Sequence, residues 1–137
     1  MVLEFGSRIG GLWVYENDNG LSPAYLSLHV NSENKVTAFK DFPFSETAPL
    51  YPDHRQMVEY LEAYTDRFDL RRRIRFKTQV TRVERSDSRW HVSTADGWGS
   101  VFDAVVVASG HQSVPRHPPF AGDFSGEYLH SHSYRTP

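Results

Sequence analysis

Ala104-Val105-Val106-Val107 runs without a polar break and ends in the small-residue turn Ala108-Ser109-Gly110-His111. Strands with one wet face alternate apolar and polar residues. An unbroken run is the pattern of a strand buried on both faces of a parallel sheet. Parallel strands need long crossovers, usually helical, so this run constrains the chain to an α/β fold. The turn after it stands at the strand's carboxyl end, where open α/β sheets bind their ligands.

The rest of the chain supplies matching elements. Met1 to Phe5 reads as a short strand, followed by a turn at Gly6, Gly10 and Gly11. Residues 16–24 are polar, with Gly20 and Pro23, and read as loop. Residues 36–51 hold Pro43, Pro49 and several aromatics and read as an irregular, packed loop. Asp53 and Gln56 form a capping-box signature. Met57, Tyr60, Leu61, Tyr64 and Phe68 follow at helical spacing, which predicts a helix over 54–68 with one apolar face. Then the period changes to two. Ile74 and Phe76, Val80 and Val83, and Trp90 and Val92 alternate with polar residues, as half-buried strands do. Ser86-Asp87-Ser88 and Asp96-Gly97 supply the turns. Pro115, Pro118 and Pro119 stiffen a connector.

Composition excludes more than it assigns. At 137 residues, one domain with its own core is the expectation. The net charge of −2 points to no nucleic acid partner. No apolar run approaches the ~20 residues of a membrane span. The opening Met1-Val2-Leu3-Glu4 lacks the basic start of a signal peptide. Cysteine is absent, which suits a reducing, cytoplasmic location and removes thiolate chemistry. Seven histidines occur, but no tight His/Asp/Glu set recurs at ligand spacing, so no metal site is expected. Arg71-Arg72-Arg73 follows the helix end, where cations complement the helix dipole.

Phe124-x-Gly126-x-x-x-His130-x-x-x-Tyr134 closes the chain, and Glu4-Phe-Gly-Ser-Arg-Ile-Gly10-Gly11-Leu12-Trp13 opens it. Between them lie Asn31-Ser32, Asp41-Phe-Pro-Phe44 and Phe102-Asp-Ala-Val-Val-Val-Ala-Ser-Gly-His111. In this order the segments resemble the flavin-containing monooxygenases, which use FAD and NADPH. The resemblance covers nearly the whole chain. It implies a partial Rossmann-like FAD-binding domain of a two-dinucleotide-binding-domain flavoprotein, with a small antiparallel meander. Residues 1–114 would form that partial domain, and residues 115–137 a linker toward an NADPH-binding domain. The phosphate-binding glycine loop belongs roughly 20 residues before the ribose acid. The chain thus reads as lacking the first strand and that loop. On its own it is expected to bind FAD weakly or not at all and to be inactive, with the remainder of the enzyme as a missing partner.

The resemblance also assigns roles. Glu4 would accept hydrogen bonds from the adenosine ribose hydroxyls; by position alone it reads as a surface acid. Gly10, Gly11, Leu12 and Trp13 would line the cofactor, Trp13 reading equally as a core aromatic. Val80 would offer its main chain to the adenine. Ser109 and Gly110 would form the turn that carries threonine in relatives. Asn31 would lie beside the flavin ring and steady oxygen bound at the flavin C4a carbon; alone, Asn31-Ser32-Glu33-Asn34 reads as a turn. Phe124, Gly126, His130 and Tyr134 would organise the junction between domains. Tyr134 stands where ester-forming relatives carry tryptophan. The implied reaction is therefore insertion of one oxygen atom from O2 into nitrogen or sulfur of a small molecule. A non-oxygenating flavoprotein fragment and a non-catalytic binding module are the alternatives.

Overall fold

In the computed structural model, which describes residues 1–120 and 122–136, helices and strands are mixed. Ala121 and Pro137, both in the expected linker, lie outside the described residues. Strand β1 (Val2–Leu3) pairs in parallel with β2 (Ile74–Arg75), Val2 opposite Ile74. The pairing continues past both strands: Glu4 N–H donates to Arg75 O at 3.0 Å, and Thr78 N–H to Glu4 O at 2.8 Å. The expected strand at residues 1–5 is thus shorter, and among the described residues β2 is its one neighbour in the sheet. Strands β3 (Val80–Ser86), β4 (Arg89–Thr94) and β5 (Gly99–Phe102) form the antiparallel meander. Asp87, at φ 56°, opens the first hairpin turn, and Gly97, at φ 83°, sits in the second. Both turns fall where the sequence predicts them.

Helix α2 (His54–Arg67) is the longest element. Asp53 accepts from the N–H groups of Arg55 and Gln56, and Gln56 returns a bond to Asp53 N–H. That completes the predicted capping box. The helix packs on two sides. Tyr60, Tyr64 and Phe68 meet Phe39, Phe42 and Phe44 from the preceding loop, with Phe44 stacked on Tyr60 at 4.0 Å. The Tyr60 hydroxyl accepts from Phe39 N–H and donates to Phe42 O, stitching that loop to the helix. On another side, Val58 and His54 face the residues after β1. The core is small: Val14, Ala24, Val30, Pro52, Met57, Val58, Tyr60 and Val92 are buried. A one-turn helix α1 (Asn34–Thr37) overlaps the first two residues of the loop predicted over 36–51.

Two expectations fail. Ala104–Val107 is no strand: it carries no ladder pairing, and Val106 and Val107 are 88% and 77% exposed. An apolar run becomes a buried strand only when strands flank it and helices cover it, and no described strand lies beside this one. Strand β3 likewise is exposed along all seven residues, so Val80 and Val83 lie at the surface and not half-buried. In the meander it is β4 that buries side chains, at Val92 and Thr94.

Candidate functional site

Glu4 follows directly on β1, at its carboxyl end. One carboxylate oxygen, Oε1, accepts from Gly6 N–H at 2.7 Å, which turns the chain sharply after the strand. A Cβ on Gly6 would sit 2.9 Å from Asn17 Oδ1 and 3.1 Å from Glu4 Oε1, so a larger residue there would press on the ends of these two side chains. The loop is tied down further by Ser7 N–H, which donates to Asp18 Oδ1 at 2.9 Å. That bond, with one from the Ser7 hydroxyl, holds the Asp18 carboxyl below the usual aspartate range.

Gly10 and Gly11 differ although they are adjacent. Gly10 has φ 126°, and a Cβ there would lie 2.8 Å from a Val14 methyl and 2.9 Å from a Val58 methyl. Its missing side chain makes room for α2. Gly11, at φ 52°, is exposed, and a Cβ there would meet nothing within 4 Å. The open backbone surface is therefore at Gly11. Gly11–Trp13 forms a single 3-10 turn. Leu12 and Trp13 are half-buried, and Trp13 O lies 3.3 Å from His54 Nδ1.

The start of α2 also places Asn31. Val30 N–H donates to Pro52 O at 3.0 Å, and His54 N–H to Leu28 O at 2.9 Å. One short stretch, Pro52–His54, thus holds both the Trp13 turn and the segment that ends in Asn31, whose side chain is exposed. The closing residues dock on the same segment. Tyr134 packs edge-on against Tyr25 at 5.5 Å, and Leu26 N–H donates to Arg135 O at 2.8 Å. The Arg135 guanidinium donates to the carbonyls of Ser22, Ala24, His132 and Tyr134. His130 caps its own turn, its Nδ1 accepting from His132 N–H at 3.0 Å. Phe124 lies over Gly126, where a Cβ would come within 2.5 Å of the ring.

Glu4, Gly10–Trp13, Asn31 and Tyr134 thus belong to one connected body around the start of α2. Val80 lies in the meander, paired with Thr94, and Ser109 and Gly110 are exposed beyond β5. Asn17, Ser22, His54 and Arg135 escaped the sequence reading. Their partners are main-chain carbonyls up to 113 residues away, which leave no periodic trace. Among the described residues, no group of three or more His, Cys, Asp or Glu side chains is placed to hold a metal ion. No described helix is long and apolar enough to cross a membrane.

Comparison with known proteins fits this arrangement. The chain is 35% identical to flavin-containing monooxygenase FMO GS-OX5 of Arabidopsis thaliana, over 100% of this chain and 36% of that protein. It is 35% identical to the human putative dimethylaniline monooxygenase [N-oxide-forming] 6, over 98% of this chain and 28% of that protein. The S-allyl-L-cysteine S-oxygenase of Allium sativum superposes on 98% of the chain with a TM-score of 0.87 at 31% identity, covering 36% of that structure. The chain thus spans about a third of the length of such relatives. Its fold is that of part of their Rossmann-like FAD-binding domain. The family model for flavin-binding monooxygenase-like proteins matches residues 1–137, and the chain belongs to that family.

Proposed function

We propose that this chain supplies the adenosine-side acid and the flavin-side turn of an FAD- and NADPH-dependent monooxygenase. The whole enzyme transfers one oxygen atom from O2 to nitrogen or sulfur of a small organic substrate. The second oxygen leaves as water, and NADPH supplies the two electrons. The names of the relatives, S-oxygenase and N-oxide-forming monooxygenase, support that substrate class.

One observation carries the reading. Glu4, at a strand end, is joined through Gly6 and Asn17 to the bare backbone of Gly11. A carboxylate with one oxygen held by an N–H suits ribose hydroxyls, which need an acceptor. An open glycine suits a planar group brought against main chain. These residues fit FAD. FAD, when bound, supplies the two-electron redox centre that NADPH reduces and O2 reoxidises. Glu4 holds the ribose, Gly10 and Gly11 shape the turn, and Leu12 and Trp13 border the ring system. Val80 offers main chain to the adenine, and Ser109 and Gly110 close over the cofactor's far side. Asn31 donates an amide hydrogen bond toward oxygen without releasing an acidic proton. His130 and Tyr134 organise the junction with an NADPH-binding domain, and Phe124 and Gly126 shape the approach to it. Residues 1–114 form the cofactor part and 115–137 the connector. The absence of cysteine favours a cytoplasmic setting.

The test is Asn31→Ala in the flavin-loaded, NADPH-consuming protein that carries this segment. Flavin content should stay normal while the ratio of oxygenated product to NADPH consumed falls at least about fivefold and hydrogen peroxide rises. The loss corresponds to about 1–3 kcal/mol for one missing hydrogen bond. Unchanged coupling would remove Asn31 from the site.

A further inference from the structure

The Gly11–Trp13 turn has little to hold it by itself. Its internal bonds are Trp13 N–H to Gly10 O at 2.9 Å and Val14 N–H to Gly11 O at 3.3 Å. Two successive glycines at positive φ lose more freedom on ordering than any other residues. Its three carbonyls need donors where they turn inward. Each receives one from a different side chain. Asn17 Nδ2 donates to Gly11 O at 3.0 Å, Ser22 Oγ to Leu12 O at 2.7 Å, and His54 Nδ1 to Trp13 O at 3.3 Å. The three side chains belong to residues only 6%, 4% and 4% exposed.

Further bonds fix the polarity of two donors. Asn17 Oδ1 accepts from Asn19 N–H at 3.2 Å, which sets the amide so that its NH2 faces Gly11. Ser22 Oγ accepts from Ala24 N–H at 3.2 Å, leaving its own proton for Leu12 O. The Trp13 carbonyl can only accept, so His54 Nδ1 carries a proton. Among the described residues His54 Nε2 is buried with no partner, a cost that delivering this donor entails. None of the three bonds is needed to start α2, which Asp53 already caps. They hold the inner side of the turn while the outer face at Gly11 stays bare.

We propose that Asn17, Ser22 and His54 are positioning residues for flavin binding, fixing the Gly11–Trp13 turn by its three successive carbonyls so that its open face is presented ready-formed. The proposal rests on the reading of that turn as a flavin contact. Preorganisation of this kind raises affinity by removing the ordering cost from the binding step. Asn17 Oδ1 also lies on the side of Gly6 where a Cβ would point, next to Glu4 Oε1, so one residue borders both the acid and the turn.

The experiment is an NMR titration of the 137-residue chain with FAD, which reads binding even at millimolar affinity. The amides of Gly11, Leu12 and Trp13 report binding, and those of Met57 and Val58 report the fold. In the unaltered chain, the three turn amides should shift with FAD, and the His54 ring should show its proton on Nδ1. Ser22→Ala, His54→Phe and Asn17→Asp should each weaken FAD binding by about tenfold while the α2 amides stay in place. Ser22→Thr, which keeps the hydroxyl, and His54→Asn, which keeps a donor near the Nδ1 position, should bind within about threefold of the unaltered chain. Unchanged affinity in the first group overturns the proposal. So does equal weakening in both groups, or a His54 ring with Nδ1 unprotonated. FAD-dependent shifts elsewhere in the unaltered chain with none at Gly11–Trp13 would instead sink the flavin reading of the turn, and the proposal with it.

Discussion

Val58 and Val107 are the same residue in two fates. Val58 is 5% exposed, pressed against Gly10 and Val14. Val107, in the most apolar run of the chain, is 77% exposed. The contrast extends to whole regions. Residues 10–30 and 52–67 interlock through side chain to carbonyl bonds and buried valines. Residues 104–129 leave Val106, Val114, Phe120 and Phe124 largely in solvent. The total surface is 10208 Å², against about 7,300 Å² expected for a self-covered protein of 15.8 kDa. Burial is thus a property of neighbours. Apolar sequence is necessary for it, but a partner surface decides it.

The largest predicted effect attacks the packed region. Gly10→Ala would drive a Cβ into two valine methyls at a backbone angle that side chains rarely adopt. It should cost roughly 2–4 kcal/mol. Thermal unfolding followed by circular dichroism would register it as a drop of about 10 °C. The matched change Val107→Ala should stay within about 0.5 kcal/mol, because it removes no buried contact. Equal effects at the two sites would erase the contrast.

Tyr60→Phe comes next. It strands Phe39 N–H and Phe42 O and should cost about 1–3 kcal/mol, with the aromatic loop loosening before α2 does. Proteolysis within 39–49 at unchanged helix content would be the signature.

Asp53→Ala is the smallest and depends on pH. Burial pushes the Asp53 carboxyl up, but the Gln56 N–H and the Arg55 guanidinium outweigh it and hold the group below the ordinary value of 3.8. A depressed folded value means that the stabilisation is present above 3.8 and is lost as pH falls through the folded value. The variant should therefore lose about 1 kcal/mol near neutral pH, and the difference should close below about pH 4. A difference that persists in acid would assign the loss to packing alone.

Local chemistry was legible in the sequence and long-range placement was not. Asp53 with Gln56, the 3.6-residue spacing of Met57, Tyr60 and Tyr64, and the turns at Asp87 and Gly97 act within a few residues. The sequence therefore declares them. The run at 104–107 announced a strand truthfully in composition, yet a strand needs a neighbour that no local pattern can promise. Glycine was ambiguous for the same reason. Gly10 and Gly11 look alike in sequence, but one is filled by α2 and the other is open. Ser22 and His54 looked like loop and helix residues, because their partners are carbonyls set only by the folded chain.

Amide hydrogen exchange on the 137-residue chain, without and with FAD at saturating concentration, tests the central claim most directly. Without FAD, α2 should be protected, and 104–110 should exchange at the rate of open chain. With FAD, new protection should appear across Glu4–Trp13 and leave 112–129 unchanged. Protection of Val105–Val107 in the free chain would contradict the contrast between the regions. FAD-induced protection confined to 112–129 would contradict the placement of the cofactor at Glu4 and the Gly11–Trp13 turn.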